Sequence, residues 1–267
     1  MSTVLFDTDG EVAVVTINRP EVRNAVDDPT AAALVEAFRR FDADEGLAVA
    51  VLTGAGGTFC AGADLKAVAA GQLRRGALID ALGEYVLSED GDGPMGPSRM
   101  LLGKPVIAAV EGYAVAGGLE LAVWCDLRVA ARDATLGVFN RRFGVPLIDM
   151  GTIRLPRMVG QGRALDLILT GRPVGADEAL RIGLIDRIAE PGEALAAAQT
   201  LAREIAASPR AALRGDRDSV IFQWGAGIEE AVDAEITYGL NALRTGEWRD
   251  ATRRFTEGEG RHGDRLS

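Results

Sequence analysis

The sequence predicts an α/β core followed by a helical C-terminal region. Short runs of β-branched and small apolar residues alternate with helical patterns up to about residue 160, which is typical of α/β proteins. Beyond that point the patterns are almost wholly helical. Apolar residues make up 48% and charged residues 25% of the 267 residues, so the chain can bury the core that such a fold needs.

The strands are predicted from apolar runs that end at turn residues. The first run, Val12–Asn18, is β-branched and stops at Arg19 and Pro20, where a strand gives way to a turn. Further strands are predicted at 47–53, 105–110, 127–131 and 135–138.

The helices are predicted from apolar residues at helical spacing. The first spans Pro29 to Phe41 with Asp28 as a possible N-cap, and a second, polar and interrupted by glycines, spans Leu65 to about Leu87. A short third helix is expected at Leu119–Trp124, and the Gly- and Pro-rich stretch from Asp90 to Ser98 is expected to be a mobile loop. The C-terminal helices are predicted at 163–169, 176–182, 192–207, 209–220, 228–245 and 248–255.

Charge and cysteine usage limit the classes of function. A formal net charge of −10 argues against a nucleic-acid-binding protein, which normally presents a basic face. The sequence shows neither an apolar run as long as a membrane span nor a basic-then-apolar leader, so we expect a cytoplasmic protein without a membrane partner. Cys60 and Cys125 are expected to be buried free thiols.

The single histidine removes several kinds of catalysis from consideration. His262 lies in a polar run near the C-terminus, and we interpret it as a solvated side chain. The sequence has no Gly-x-Ser-x-Gly motif, no His and Cys spacing typical of a metal site and no P-loop. Carboxylates or backbone groups must therefore carry any chemistry, and no metal is expected.

Two segments, 58–65 and 112–122, place glycine and alanine where a predicted strand meets a helix. Glycine lets a ligand approach the backbone closely, and the first N–H groups of a helix have no partner within it. One N–H from each segment, aimed at one point, would form an oxyanion hole for a developing enolate. The alternative is that both segments are tight packing turns. A dinucleotide loop at 54–58 is disfavoured, because it lacks the third glycine of that motif.

Five segments, in the expected order, resemble the crotonase (enoyl-CoA hydratase/isomerase) superfamily and span nearly the whole chain. The resemblance implies a crotonase-like spiral of ββα repeats in residues 1–195, which carries the acyl-CoA site. It implies a helical C-terminal region in residues 196–267 that forms a homotrimer or a dimer of trimers. An acyl-CoA thioester is the implied ligand, with no cofactor beyond the coenzyme A of the substrate. The five segments are 17–25, 58–65, 107–126, 170–185 and 246–261.

The resemblance also assigns binding residues. It implies that the N–H groups of Ala63 and Gly117 form the oxyanion hole. Arg23 is expected to pair with a phosphate of coenzyme A, because guanidinium matches phosphate oxygens, although an exposed surface charge is the competing interpretation. The residues expected to border the coenzyme A or the substrate are Arg23, Ala25, Ala61, Gly62, Asp64, Leu65 and Gly118.

Glu120 matches the first of two catalytic glutamates that hold the reacting water in enoyl-CoA hydratases. Its neighbours Leu119 and Leu121 indicate partial burial, which raises the pKa of a carboxyl group toward the range of an acid–base catalyst. The alternative is a glutamate that only complements the helix dipole.

The second glutamate of that pair is missing. Its position is occupied by Asn140, which can hold a water molecule but cannot exchange a proton with it. Asp149 lies, within a one-residue shift, where the family's dienoyl-CoA isomerases place an aspartate. We expect Asp149 either to act as a second acid or to cap a helix that begins near Thr152.

Three functions follow from these features. The leading hypothesis is hydration of a 2-enoyl-CoA, with Glu120 as principal acid and base and with Asp149 or Asn140 helping to hold the water. The second is double-bond isomerisation or other enolate chemistry on an acyl-CoA, which a single effective acid favours. The third is a non-catalytic acyl-CoA-binding homologue, which the missing glutamate favours.

Overall fold

The structure, a computed structural model, describes residues 2–70 and 92–259 and, between them, only the backbone of two short strands. Three short 3₁₀ helices span Pro20–Val22, Pro97–Arg99 and Phe139–Phe143. The strands are β1 (Val4–Asp9), β2 (Val12–Ile17), β3 (Val49–Gly54), β4 (Leu78–Ile79), β5 (Tyr85–Val86), β6 (Val106–Val110), β7 (Tyr113–Val115), β8 (Leu127–Ala131), β9 (Thr135–Gly137), β10 (Val174–Gly175) and β11 (Arg187–Ala189). The helices are α1 (Asp28–Ala43), α2 (Leu65–Ala69), α3 (Gly117–Trp124), α4 (Gly151–Val159), α5 (Gln161–Thr170), α6 (Ala176–Ile182), α7 (Ala194–Ala206), α8 (Arg210–Phe222), α9 (Ile228–Thr245) and α10 (Glu247–Thr256).

The larger sheet forms the wall of the core. Within the described residues its strands run in the order β1-β2-β3-β6-β8-β11. β1 and β2 form an antiparallel hairpin, whereas each of the other neighbouring pairs is parallel. The central strand β6 is buried along its whole length, and α7 packs against it and against β3. Parallel strands covered on both faces consist of continuous apolar runs, and these strands could therefore be predicted from the sequence.

The smaller sheet lies at the ends of the larger one and brings the two Gly/Ala segments together. Its strands run in the order β10-β9-β7, with β7 and β9 parallel. Two single bridges extend it, one between Cys60 and Ala114 and one between Val26 and Ala63. The chain therefore passes from a strand of the large sheet to a strand of the small sheet and then into a helix, as in β6-β7-α3. This arrangement confirms the predicted α/β fold with ββα repeats.

The C-terminal helices were predicted closely, because their apolar residues recur at helical spacing. The bounds of α6 and α9 match the predicted ranges. Among the described residues of α8, α9 and α10 no side chain is buried. The predicted boundary between residues 195 and 196 falls inside α7, which packs on the large sheet. The division of the chain into two regions stays a prediction.

Three sequence predictions are wrong in detail. Asp27, not Asp28, caps α1, because the Asp27 carboxylate accepts the N–H of Thr30 at 3.0 Å. The predicted helix from Leu65 to Leu87 is confirmed only as far as Ala69, and its later part includes strands β4 and β5. The predicted mobile loop is buried from Asp92 to Ser98, because it packs beneath the neighbouring elements of the site.

Two further expectations are bounded by what the structure covers. His262 lies outside the described residues. In the described part of the chain, none of the helices has the length and apolar character that crossing a bilayer requires. The cytoplasmic location stays a prediction. Cys60 and Cys125 are both free and buried, as predicted.

Candidate active site

The two Gly/Ala segments pack backbone against backbone. The N–H of Cys60 donates to the carbonyl oxygen of Tyr113 at 2.9 Å, and the N–H of Val115 donates back to the carbonyl oxygen of Cys60 at 3.1 Å. A Cβ atom at Gly118 would lie 2.1 Å from that Cys60 oxygen, so only glycine fits there. Gly62 has φ +97°, and a Cβ at this position would lie 2.9 Å from the nitrogen of Gly117. The glycines are therefore required for the close approach of the two segments.

The N–H groups of Ala63 and Gly117 lie at this junction. Neither donates a hydrogen bond to any residue that the structure describes. Gly117 is the first residue of α3, so its N–H lies at the positive end of the helix dipole. Ala116 turns the chain into α3 with φ 54° and ψ −126°, a conformation that costs an L-residue on the order of 1–3 kcal/mol. The strained turn leaves the Gly117 N–H available to a ligand.

A cavity of about 430 Å³ opens in front of these two residues, and we call it the first cavity. Its lining is mostly apolar, and the polar side chains in its described lining are Glu120, Asp149 and Asn140. The predicted oxyanion donors and the predicted acids therefore lie around one space. The apolar side chains of the described lining are Ala61, Ala63, Leu65, Val68, Pro94, Met95, Val115, Ala116, Phe139, Phe143, Val145, Pro146 and Ile148.

Glu120 is 2% exposed and holds the start of α4. Its Oε1 accepts the N–H groups of Asp149 and Gly151, both at 2.9 Å. Burial, and secondly the neighbouring Asp149 carboxylate, raise the pKa of Glu120 to about 8, although the two amides and Arg154 oppose this rise. Such a carboxyl group is able to take up and release a proton near neutral pH.

Asp149 is 3% exposed and connects Glu120 to the segment 92–98. Its Oδ1 accepts the N–H of Met95 at 2.9 Å and a short hydrogen bond from the hydroxyl of Ser98. Burial raises the pKa of Asp149, against the effect of these donors. The capping alternative is wrong, because Met150 occupies the N-cap position of α4 without a side-chain cap and Glu120 accepts the first N–H of the helix, that of Gly151.

Asn140 lies in the 3₁₀ helix Phe139–Phe143 and is 6% exposed. Its Nδ2 donates to the carbonyl oxygen of Val145 at 2.9 Å. Its Oδ1 is buried and has no hydrogen-bond partner among the described residues. A buried acceptor without a partner is costly, so this amide is a candidate for binding a water or a substrate donor.

Three residues of the site were missed by sequence reasoning. Ser98 and Met95 contact Asp149 from more than fifty positions earlier in the chain, so no local sequence pattern predicts these contacts. Arg154 is 6% exposed, and its Nη1 donates to the carbonyl oxygen of Ser98 at 2.6 Å. One signal was available for Arg154, namely an arginine between Ile153 and Leu155 at the start of an apolar helix.

The residues predicted to border coenzyme A are distributed around the junction. Ala61 and Leu65 line the first cavity, whereas Gly62 and Gly118 belong to the packed junction behind it. The Asp64 carboxylate caps α2 and pairs with Arg19 at 3.1 Å. Ala25 is buried, and its carbonyl oxygen accepts Nη1 of the same Arg19 at 2.5 Å. Arg23 is exposed, and its carbonyl oxygen accepts the N–H of Ala61 at 3.0 Å.

Comparison with known proteins agrees with this geometry. The family model for enoyl-CoA hydratase/isomerase matches residues 7–259. The chain is 34% identical over 258 residues to the short-chain-enoyl-CoA hydratase of Clostridium acetobutylicum, which covers 96% of this chain and 95% of the relative. It is 35% identical over 260 residues to the enoyl-CoA hydratase EchA19 of Mycobacterium tuberculosis, with 95% and 93% covered.

Solved structures give the same result. The crystal structure of an enoyl-CoA hydratase from Mycobacterium tuberculosis superposes with a TM-score of 0.88 at 34% identity and covers 100% of this chain and 99% of that one. The enoyl-CoA hydratase EchA1 from Mycobacterium marinum superposes with a TM-score of 0.86 at 35% identity, with 96% of both chains covered. Because sequence and fold agree along nearly the whole chain, the protein belongs to the enoyl-CoA hydratase/isomerase family.

Proposed function

We propose that the protein is an enoyl-CoA hydratase, which adds water across the C2–C3 double bond of a 2-enoyl-CoA thioester. The observation that carries the proposal is the meeting of a buried glutamate and two backbone N–H groups, which have no partner among the described residues, around one apolar cavity. Membership of the family and the hydratase names of its relatives support the same reaction. The substrate is an acyl-CoA, and no further cofactor is proposed.

The thioester carbonyl oxygen is bound by the N–H groups of Ala63 and Gly117. As water attacks C3, negative charge moves to this oxygen and an enolate forms, and the two N–H groups stabilise it. Losing one such donor typically costs about 100- to 1,000-fold in rate. Because the donors are fixed by the packed junction of the two segments, they need no rearrangement when the charge develops.

Glu120 exchanges protons with the reacting water and with C2. Its Oε1 already accepts two backbone N–H groups, so Oε2 is the oxygen left to exchange a proton. The water gives its oxygen to C3 and one proton to a carboxylate, and a carboxyl group returns a proton to C2 of the enolate. A pKa near 8 suits both directions of this transfer.

Asp149 serves as the second carboxylate, and Asn140 helps to hold the water. Asp149 is next to Glu120 in the cavity lining, and only its Oδ1 is engaged by donors of the segment 92–98. Asn140 has an unused acceptor atom but carries no exchangeable acid. We propose that the proton transfer runs on the Glu120–Asp149 pair, with Asn140 in a positioning role.

Isomerisation of an enoyl-CoA is the second candidate. One specific observation favours it: Asn140 stands where hydratases carry their second glutamate, and a single effective acid suffices to move a proton between two carbons of an enolate. The oxyanion hole and Glu120 keep the same roles in that reaction. A non-catalytic acyl-CoA-binding protein is the third candidate and predicts binding without turnover.

The binding of coenzyme A and the assembly are further parts of the proposal. Arg23 is exposed beside the loop that carries Ala61, where it can reach a phosphate of coenzyme A. The chain assembles as a homotrimer, or as a dimer of trimers, through the C-terminal helices. The support is a row of exposed apolar side chains on α9, namely Ile228, Val232, Ile236, Leu240 and Leu243.

The function is tested by replacing Glu120 with Gln. The Gln amide oxygen can still accept the two N–H groups, so the fold is kept while the exchangeable proton is lost. We expect hydration of crotonyl-CoA to fall at least about 100-fold with little change in affinity for coenzyme A. A 3-enoyl-CoA assayed in parallel separates hydration from isomerisation.

Glu111 provides a matched control. Its carboxylate also accepts two N–H groups at the start of a helix, those of Gly192 and Ala194 before and within α7, but it lies outside the first cavity. Glu111→Gln should keep full activity. Retained hydration in Glu120→Gln would contradict the proposed role, and coenzyme A thioester binding without turnover in the wild type would favour the non-catalytic alternative.

A further inference from the structure

A second cavity, of about 350 Å³, lies between α8 and the core and shares no described lining residue with the first. Its wall is mostly apolar and includes Val123 of α3, Met158 of α4 and Ile221 of α8. Two of the chain's three tryptophans, Trp124 and Trp224, also line it. Allowing about 30 Å³ for each non-hydrogen atom, as in liquid water, such a space holds a molecule of about ten of them.

The charged lining of the second cavity is basic. Among the described lining residues, four are arginines and Asp126 is the one carboxylate. Both oxygens of Asp126 are occupied, because Oδ1 accepts from Arg217 and Oδ2 accepts from the N–H of Val106, each at 2.8 Å. Of the remaining arginines in the described lining, Arg128 pairs with Asp186 at 2.7 Å, whereas Arg154 and Arg157 have no ion pair with a described carboxylate.

The Arg154 guanidinium has N–H groups that no described residue accepts. Its Nη1 donates to the carbonyl oxygens of Ser98 at 2.6 Å and Asp149 at 3.4 Å. Its Nε and Nη2 make no hydrogen bond with any residue that the structure describes, although the side chain is almost fully buried. These N–H groups are not among the orphaned buried atoms of the described residues, and Arg154 lines the second cavity, so they are open to an anionic acceptor bound there.

Arg157 adds a second cation three residues further along α4. Its guanidinium lies 4.7 Å from the centre of the Trp224 ring, and Nη2 donates to the Trp224 carbonyl oxygen at 3.3 Å. Its other N–H groups have no partner among the described residues. Residues three apart on a helix lie on one face, so Arg154 and Arg157 present their charges to the same cavity.

We propose that the second cavity binds a small amphipathic carboxylate, with its anionic group on Arg154 and Arg157 and its hydrocarbon part against Met158 and Ile221. The guanidinium fork matches a carboxylate, and the apolar wall matches a short chain. An inorganic anion without a hydrocarbon part fits only the basic half of this lining.

A ligand in the second cavity changes the pKa values of the carboxyl groups in the first cavity through Arg154. This step rests on the proposed function. The positive charge of Arg154 opposes the rise in the pKa of Glu120 and of Asp149, and Arg99 adds to this effect at Asp149. The other charged groups around Arg154 in the described lining are Asp126, which pairs with Arg217, and the cations Arg128 and Arg157. The buried Cys125 thiol stays neutral, because burial raises its pKa far above the working range. A bound carboxylate offsets part of the Arg154 charge, so the pKa values of the pair rise and the pH profile moves to higher pH.

Binding is tested on the full chain with 6-bromohexanoate, because bromine quenches tryptophan fluorescence at contact distance and Trp124 and Trp224 line the cavity. The uncharged control ligand is 6-bromohexan-1-ol. We expect saturable quenching by the acid, with a Kd about tenfold or more below that of the alcohol, and no competition by saturating coenzyme A. Arg157→Ala and Ile221→Phe should each weaken binding about tenfold or more, whereas Arg163→Ala on α5 should not.

The outcomes separate the two steps. The proposed site would be overturned by any one of three results. These are equal quenching by acid and alcohol, no quenching because another copy of the chain fills the cavity, and competition by coenzyme A. The second step is read from the pH dependence of kcat for crotonyl-CoA with and without hexanoate, and we expect a shift to higher pH that Arg157→Ala removes. Quenching without that shift would refute the coupling alone. A wild type without hydratase activity would refute the proposed function and leave the binding result standing.

Discussion

The burial of Glu120 makes a prediction about stability that does not depend on any substrate. Burial and Asp149 raise the pKa of this carboxyl group from 4.5 to about 8. A group whose pKa is raised on folding contributes stability that is complete below pH 4.5 and is lost as the pH rises through 8. The loss is about 1.4 kcal/mol for each pH unit between the two values, so it reaches at most roughly 5 kcal/mol. Wild-type protein should therefore be markedly less stable at pH 9 than at pH 5.

Glu120→Gln removes this loss, because a Gln amide does not ionise and its oxygen still accepts the N–H groups of Asp149 and Gly151. We expect the variant to match the wild type within about 1 kcal/mol at pH 5 and to exceed it by about 2–5 kcal/mol at pH 9. Urea unfolding followed by circular dichroism at the two pH values measures both free energies. For a chain of this size each kcal/mol moves Tm by about 2–4 °C, so a thermal scan provides a second readout.

Glu178→Gln serves as the control of opposite sign. The pKa of Glu178 is lowered by hydrogen bonds from Arg172, at 2.7 and 2.9 Å, so its contribution is present above its ordinary pKa and is lost as the pH falls. This variant should be destabilised at neutral and alkaline pH and less so in acid. If the stability of Glu120→Gln relative to the wild type were the same at pH 5 and pH 9, Glu120 would be ionised without cost in the folded protein, and the acid–base role built on its raised pKa would be refuted.

Two other substitutions test the junction and the assembly. Gly118→Ala places a Cβ 2.1 Å from the Cys60 carbonyl oxygen and forces apart the two Gly/Ala segments that carry the proposed oxyanion hole, so kcat/KM should fall about 100-fold or more. Gly225→Ala, whose Cβ would meet no atom within 4 Å, should be neutral. Full activity of Gly118→Ala would contradict the packed junction. Ile236→Asp places a charge in the apolar row of α9 and should dissociate the proposed trimer in analytical ultracentrifugation. Thr237→Asp, one position away, should leave the trimer intact. An unchanged sedimentation coefficient in both variants would place the interface elsewhere.

The parts of the fold that could be predicted are those with a local cause. The apolar residues of α9 recur at helical spacing, and the bounds of that helix followed directly. The Gly117–Gly118 pair marked a strand-to-helix junction because glycine is needed where backbones approach closely, and the structure places that pair at the junction. Glu120 was visible because a carboxylate among Leu and Ala residues is poorly placed for the surface, and the side chain is indeed buried.

The parts that could not be predicted have causes far away in the chain. The segment from Asp92 to Ser98 has the composition of an exposed loop, and it is buried because the Asp149 carboxylate binds its backbone at Met95 and its hydroxyl at Ser98. Composition predicts the solvent exposure of a segment only when no other part of the fold covers that segment. β1 was missed for a related reason. Its residues Leu5 to Asp9 are mostly exposed, so the strand shows no apolar run and is held by its pairing with β2.

The role of Asp149 shows how the structure decides between two interpretations that the sequence left equal. A helix N-terminus needs acceptors for its first N–H groups, and an aspartate just before Gly151 is a reasonable candidate for that task. Glu120 accepts the N–H of Gly151 from another helix, whereas the Asp149 carboxylate accepts from Met95 and Ser98. Both carboxyl groups thereby lie in one buried space, and the Asp149 carboxylate raises the pKa of Glu120. The missing glutamate at position 140 is therefore no argument against acid–base chemistry, because a second carboxyl group reaches the site from the turn before α4.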